Sequence, residues 1–301
     1  MREYTKQEFE KTIRAWNIPD VDINAGDIHL TEGILRLIHF SPLIKHNNIS
    51  IIFIAGWVTQ IDTWREVLTA LSPEYPVYYL ETREKVSSRM SKNAGYGAQD
   101  IAGDIAELVG KLNLKPESFV LAGSSLGTTA IAEACRILPV KPLSLILINT
   151  NAEFRVPGIW KLIVTFFYPP LYFMILPVVK WYLRTFRLNI KADPEQYIKY
   201  SRALETADPW KLRKAVLALA KYSIWKALRY VNCPVLFISA SEDKLHEPQQ
   251  IKRMTELLSE VNVIDLKTNK AAHGQALIVE IKSFLGSFTK NKSGHTHSSE
   301  A

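Results

Sequence analysis

Cysteine is scarce, with two residues in 301, Cys135 and Cys233. Two thiols in such different contexts, one in a helix pattern and one before Pro234, suggest neither a disulfide framework nor a metal site. They read as buried, reduced thiols. The start, Met1-Arg2-Glu3-Tyr4-Thr5-Lys6, is charged and lacks an apolar h-region, so the expected location is the cytoplasm. No internal repeat is evident. One long uncharged stretch exists, the eighteen residues Leu162 to Val179 between Lys161 and Lys180. Its length nearly meets the requirement for a membrane span. Pro169, Pro170 and Pro177 would break a spanning helix, however, and the stretch lies between strands of one sheet.

What is present suits one large globular domain with an insertion, or two domains: 47% of residues are hydrophobic and 22% charged. Charge is unevenly spread. From Arg155 to Tyr230 there are fourteen Lys or Arg against four acids, so this segment carries more than the whole chain's net charge of +7. The remainder is slightly acidic. The positive charge coincides with an apolar segment and no DNA or RNA motif accompanies it, which argues against nucleic acid as a partner.

Tyr4 to Trp16 reads as a helix, and a strand or hairpin follows from about Ile28 to Phe40 with Gly33 at its turn. Ile51-Ile52-Phe53-Ile54-Ala55, Val77 to Glu81, Phe119 to Ala122 and Leu143 to Ile148 are short apolar runs of the kind buried on both faces of a parallel sheet. Helix patterns from Asp62 to Leu71 and from Gln99 to Leu112 alternate with them. After Asn151 the alternation stops. Residues 152 to 230 show no strand, and Asp193-Pro194 and Asp208-Pro209 look like helix N-caps with proline at the first helical position. It resumes with strand Val235 to Ser239, helix Pro248 to Leu258, strand Val261 to Leu266 and helix Gln275 to Phe288. This order predicts an α/β protein with a mostly parallel central sheet flanked by helices and an inserted helical cap. The expected divisions are core residues 1–151, a cap at 152–230, core residues 231–289 and a polar, disordered tail at 290–301.

Gly123-Ser124-Ser125-Leu126-Gly127 stands between a buried-type strand and the helix pattern Thr128-Thr129-Ala130-Ile131-Ala132. A serine that projects its Oγ from so sharp a turn must hold a strained backbone, and flanking glycines remove the collisions that side chains would make. Such a turn exposes Ser125 Oγ and aims the Leu126 N–H at the same space, near the positive end of a helix. Ser125 is the candidate nucleophile. A serine hydroxyl needs a base, and the base an orienting acid. Asp243 follows the strand Val235 to Ser239, and His273 follows the strand Val261 to Leu266, both on loops at carboxyl ends of strands where ligands bind in such sheets. Glu242 is the substitute for Asp243, and His246 the weaker alternative for the base. His295 and His297 read as part of a solvated tail.

From Ile28 to Phe288 the chain resembles the capped serine hydrolases of the α/β-hydrolase superfamily. The likeness rests on the pentad around Ser125, Cys233-Pro234-Val235-Leu236-Phe237 leading into Glu242-Asp243, the His273 loop, and Ala55-Gly56-Trp57-Val58 followed by Trp64. The resemblance implies a Ser125-His273-Asp243 triad and an oxyanion hole formed by the N–H groups of Trp57 and Leu126. It implies no metal or organic cofactor. Two departures stand out. Ala55 and Val58 replace the histidine and second glycine of the usual His-Gly-x-Gly stretch. Glu81-Thr82-Arg83-Glu84-Lys85-Val86-Ser87-Ser88 replaces a glycine-bearing loop.

The apolar cap stretch predicts a face that lines a substrate tunnel, with Phe166, Phe167, Tyr172 and Phe173 as candidate binding residues. Complete packing against the core is the plain alternative, and its basic flanks could also touch an anionic membrane surface. The expected reaction is hydrolysis of a carboxylic ester or thioester with a hydrophobic acyl group. Competing readings are carbon–carbon cleavage or elimination on a carboxylated substrate, as in menaquinone-pathway synthases that share this fold, and a binding protein without catalysis.

Overall fold

The computed structural model describes residues 9, 12–154, 162, 164–166, 168–188, 194–243 and 249–294. Of the expected N-terminal helix Tyr4–Trp16, Phe9 and residues 12–16 are described; Phe9 and residues 12–14 are helical, and residues 15–16 form a turn. The chain then forms the hairpin β1 (Val21–Leu30) and β2 (Gly33–Pro42), and continues through β3 (Ser50–Ile54), a short 3-10 turn (Ile61–Trp64) and α1 (Arg65–Leu71). Next come β4 (Val77–Leu80), β5 (Arg89–Met90), α2 (Ala98–Lys111), β6 (Phe119–Ser124), α3 (Leu126–Ala134) and β7 (Ser144–Ile148).

Among the described residues between β7 and the next strand are α4 (Tyr172–Tyr182), a π-helical turn (Leu183–Arg187), α5 (Pro194–Glu205), α6 (Pro209–Leu219) and α7 (Trp225–Leu228). Asp208 caps α6 by accepting from the Trp210 and Lys211 N–H groups at 2.8 and 3.2 Å, the role that Asp-Pro predicts. Asp193 lies outside the described residues. The chain returns through β8 (Val235–Ser239), α8 (Gln249–Thr255), β9 (Val261–Asp265) and α9 (Gln275–Gly294).

The sheet runs β1-β2-β4-β3-β6-β7-β8-β9, with β5 on β2. From β4 to β9 every pairing is parallel, and the β1–β2 hairpin adds an antiparallel edge. β6, β7 and β8 are buried along their whole length. Two cores follow from the two covered faces. One gathers Ile52, Leu121, Leu147 and Phe237 under α2 and α3, and the other gathers Phe53, Val120, Ile146 and Ile238 under α1 and α9. Burial of each such side chain contributes about 1.5–3 kcal/mol.

Three boundaries differ from the sequence reading. β1 starts at Val21 and its turn is Thr31-Glu32, because Asp, Asn and Gly interrupt the apolar alternation of this edge strand. Gly33 is needed for a different reason, since a Cβ there would sit 2.6 Å from the Arg89 carbonyl oxygen of β5. The last helix continues to Gly294 rather than stopping at Phe288, so the first residues of the expected tail are helical.

The segment between β7 and β8 leaves and rejoins the core at one neck. Glu153 and Ser223 form an antiparallel bridge, the Phe154 N–H donates to Tyr222 O at 3.2 Å, and the Ile224 N–H donates to Ala152 O at 2.9 Å.

Candidate active site

Ser125 sits between the last residue of β6 and the first of α3 with φ 48° and ψ −113°. A residue with a Cβ in this region carries strain of about 1–3 kcal/mol, which surrounding contacts must hold. Those contacts are visible. The Ser125 N–H donates to Ile148 O of β7 at 3.0 Å, while its carbonyl accepts from the Thr128 hydroxyl at 2.6 Å. The glycines explain how tightly the turn is folded against β3. A Cβ on Gly127 would run into the Ile54 carbonyl oxygen, and one on Gly123 would lie 2.7 Å from the same oxygen. Ser125 itself is half-buried, and the Asn151 amide lies 3.4 Å from its Oγ as a hydrogen-bond donor.

Asp243 is buried in the loop after β8, and His273 ends a 3-10 turn (Ala271–His273) after β9. Asn269 joins them. Its side-chain amide donates to Asp243 Oδ2 at 2.8 Å, and its backbone carbonyl lies 2.8 Å from His273 Nδ1. A carbonyl can only accept, so Nδ1 is the donor of this pair, and in the neutral ring the lone pair is then on Nε2. The His273 ring also packs on Trp64, a fully buried side chain, with centroids 4.4 Å apart. Glu242, the substitute acid, is exposed. His246, His295 and His297 lie outside the described residues.

Gly56, Trp57 and Val58 follow β3, next to the nucleophile turn, and a Cβ on Gly56 would touch Ser124 Oγ at 3.2 Å. Among the described residues, neither the Trp57 nor the Leu126 backbone N–H has an acceptor. Val58 adopts φ 48°, a conformation that costs a β-branched residue more than most. Thus Trp57, Ser125, Asp243 and His273 follow the carboxyl ends of β3, β6, β8 and β9, parallel strands of one sheet with β7 between the first pair and the second.

Of the expected tunnel residues, three are described. Phe166 is 81% exposed and Phe173 is 39% exposed, so both turn substantially to solvent. Tyr172 is half-buried, donates its hydroxyl to Leu204 O at 3.0 Å, and has its phenol pushed up to about 12 by burial. Phe167 lies outside the described residues. Two clefts flank the site, and Ser125 lines neither. One of about 760 Å3 is bounded by Val58, Thr59, Glu84, Lys85 and, from α5, Arg202. The other, about 530 Å3, is lined by His273 with Asp62, Glu66 and Lys199.

Residues that sequence reasoning missed are Asn151 and Asn269, isolated polar positions without a pattern. It also left the 81–88 loop without a role. Arg83, Glu84 and Lys85 are all buried there. Arg83 grips Asp104 of α2 with two hydrogen bonds of 2.5 and 2.9 Å and pairs with Glu32. Burial pulls the Lys85 ammonium below its ordinary pKa, against the opposing attraction of Glu84.

No family model matches the chain. Solved structures match it along most of its length. An esterase from Thermogutta terrifontis is 18% identical, covering 88% of this chain and 98% of its own, at a TM-score of 0.69. The enol-lactonase of Burkholderia xenovorans is 17% identical over 87% of this chain and all of its own, also at 0.69. A bromoperoxidase from Bacillus anthracis is 16% identical, covers 86% and 100%, and scores 0.64. These establish the class: the chain has the α/β-hydrolase fold. A curated relative, the pimeloyl-[acyl-carrier protein] methyl ester esterase of Photobacterium profundum, is 26% identical over 114 residues. That match spans 37% of this chain and 41% of the relative's length.

Proposed function

We propose that the protein is a serine hydrolase that cleaves a carboxylic ester or thioester carrying a hydrophobic acyl group. The observation that carries this reading is the strained Ser125 turn at the head of α3, with His273 on a loop at the same end of the sheet and bonded through Nδ1 to the Asn269 carbonyl. The esterase among the curated relatives and the esterase and lactonase among the structural neighbours support it.

In this reading Ser125 Oγ attacks the acyl carbonyl carbon while its proton passes to His273 Nε2. The carbonyl π pair becomes an oxyanion held by the Leu126 and Trp57 N–H groups, with the positive end of α3 behind it. Collapse expels the alkoxide or thiolate, which takes the proton from Nε2 and leaves an acyl-Ser125 ester. Water then repeats the sequence, giving its proton to His273 and releasing the acid. Asp243 stabilises the imidazolium, helped by Asn269. The helical segment between β7 and β8 serves as the cap over the acyl group.

The test is labelling by a fluorophosphonate, with the adduct located by peptide mass and Ser125→Ala and His273→Ala as controls. Modification at Ser125 that both substitutions abolish is expected, followed by kcat/KM that rises along a series of ester acyl lengths. Correctly folded protein that stays unlabelled would overturn the hydrolase reading. Labelling together with turnover of a carboxylated diketone, and none of simple esters, would transfer the same residues to carbon–carbon cleavage.

A further inference from the structure

The turn after β3 is held in place by the loop after β4. Val58 sits at φ 48° in the left-handed region, where its branched Cβ is strained and glycine would be at ease. Within residues 56–59 the hydrogen bonds are two long ones, from the Thr59 N–H to Gly56 O at 3.2 Å and from the Thr59 hydroxyl to Trp57 O at 3.4 Å. The offsetting contacts come from about twenty-six residues away. Glu84 Oε1 accepts the Val58 N–H at 3.3 Å and the Thr82 hydroxyl at 2.7 Å. Lys85 Nζ donates to both carbonyls that bracket the strained residue, Gly56 O at 3.1 Å and Thr59 O at 2.6 Å. The two side chains also pair with each other at 3.5 Å. Charged groups buried this deeply are costly unless bonded, so they favour the geometry that bonds Lys85 Nζ and Glu84 Oε1, while Glu84 Oε2 has no hydrogen-bond partner among the described residues.

The loop that presents these groups is fixed from two further sides. Arg83 ties it to α2 through Asp104. From α6, Lys211 Nζ donates to Lys85 O at 2.7 Å and to Ser88 O at 2.6 Å, and Ser88 Oγ also lies within 3.2 Å of it. Lys211 thus joins the backbone on either side of Val86 to the helical segment between β7 and β8.

We propose that Glu84 and Lys85 are positioning residues for the Gly56–Thr59 turn, holding Val58 in its left-handed conformation so that the Trp57 N–H faces the Ser125 turn, and that Lys211 couples this turn to the helical segment above it. The catalytic part of the proposal rests on the hydrolase reading; the holding of the turn does not. It gives the two departures noted in the sequence one cause. A residue with a Cβ replaces glycine at 58, and a loop with charged side chains supplies the restraint that Val58 makes necessary.

Hydrogen exchange followed by mass spectrometry, read on the peptide spanning residues 56–60, tests the holding without reference to activity. Lys85→Met keeps the aliphatic stem and removes the donors. It is expected to speed exchange in that peptide at least tenfold, to lower kcat on an activated ester at least tenfold, and to leave KM within twofold. Adding Val58→Gly is expected to recover a substantial part of the lost kcat, because the turn then needs less restraint. Lys211→Met is expected to loosen 81–88 and 56–60 together.

Unchanged exchange at 56–60 in folded Lys85→Met would overturn the proposal. So would faster exchange with kcat intact in an active enzyme, and loosening of 81–88 alone in Lys211→Met would remove the coupling. If Lys85→Met does not fold, Glu84→Gln and Lys211→Met carry the same readings. Failure of the hydrolase reading shows separately, as absence of Ser125 labelling in the wild-type protein, while the exchange result still decides whether the turn is held.

Discussion

The Nδ1 atom of His273 lies 2.8 Å from the backbone carbonyl oxygen of Asn269. The same residue's amide holds Asp243, so one asparagine sets both the tautomer of the base and the position of the acid. Asn269→Ala keeps the carbonyl and loses the amide. A hydrogen bond to a charged group contributes about 1.5–3 kcal/mol, so kcat/KM on an activated ester is expected to fall by roughly ten- to a hundredfold. Steady-state kinetics with KM little changed would match that expectation, and unchanged kcat/KM would remove Asn269 from the positioning of the pair.

Glycines at the nucleophile turn and in α2 should respond in opposite senses to a methyl group. Gly127→Ala forces Cβ into the backbone of β3, whereas nothing lies within 4 Å of a Cβ on Gly103. Overpacking of this kind costs about 1–3 kcal/mol or more, while alanine for glycine inside a helix gains about 1 kcal/mol. Thermal unfolding should therefore show a lowered Tm for Gly127→Ala and a raised one for Gly103→Ala.

His39 stacks flat on Tyr78 with ring centroids 4.2 Å apart, and burial holds its pKa below the ordinary value despite the attraction of Asp22. The unfolded chain then binds the proton more readily than the folded one. Stability from this source is complete above the unfolded value of about 6.5 and falls as pH drops from there toward the folded value. Denaturant midpoints should decline across that acid window in the wild type and decline less in His39→Phe.

Cys233 is buried and Cys135 half-buried, where the sequence reading has both buried, and both thiols are expected to be inert in the native state. Burial pushes Cys233 up to about 12, and burial likewise raises Cys135. Ellman's reagent at pH 8 should react with neither until the protein unfolds, since the thiolate is the reactive form. Rapid titration of one equivalent in folded protein would contradict their placement.

Phe173, Met174, Val178 and Trp181 lie along one side of α4 and are 39%, 75%, 57% and 58% exposed, with Arg184 exposed just beyond the helix. Apolar side chains beside positive charge favour an anionic lipid surface. Co-sedimentation with phosphatidylglycerol vesicles, weaker with phosphatidylcholine and reduced in Met174→Ser/Trp181→Ser, is the expected result. Absence of binding to either vesicle would end the case for membrane contact through this face.

The sheet was legible because its parallel strands are short apolar runs, and such runs have few other places to go. Ile51–Ile54, Val77–Leu80 and Val235–Ser239 emerge within a residue or two of where they were read. Edge structure was less so. β1 contains Asp22 and Asn24, which face water, and Asp27, which pairs with Arg89, and β5 is only Arg89 and Met90. At the site, Ser125 announced itself through local steric need, which a sequence displays directly. Asn269 and Lys85 act through partners set by the fold, Asp243 and the carbonyls of the 56–59 turn, and no periodicity records such pairings. The aromatic stretch around Phe166 does not give its direction in the sequence, because an apolar run is equally compatible with a lined cavity and an outward face.

The bridge between Glu153 and Ser223 has a consequence for how this molecule can change. Both ends of the intervening helices meet at that point, and every ladder of the sheet is made by residues outside them. The segment is therefore a cassette. A change of length between those two residues can be taken up at one seam while the strands before Ser125, Asp243 and His273 keep their order and register, but any replacement has to supply again the bonds that Lys211 makes to the 85–88 loop.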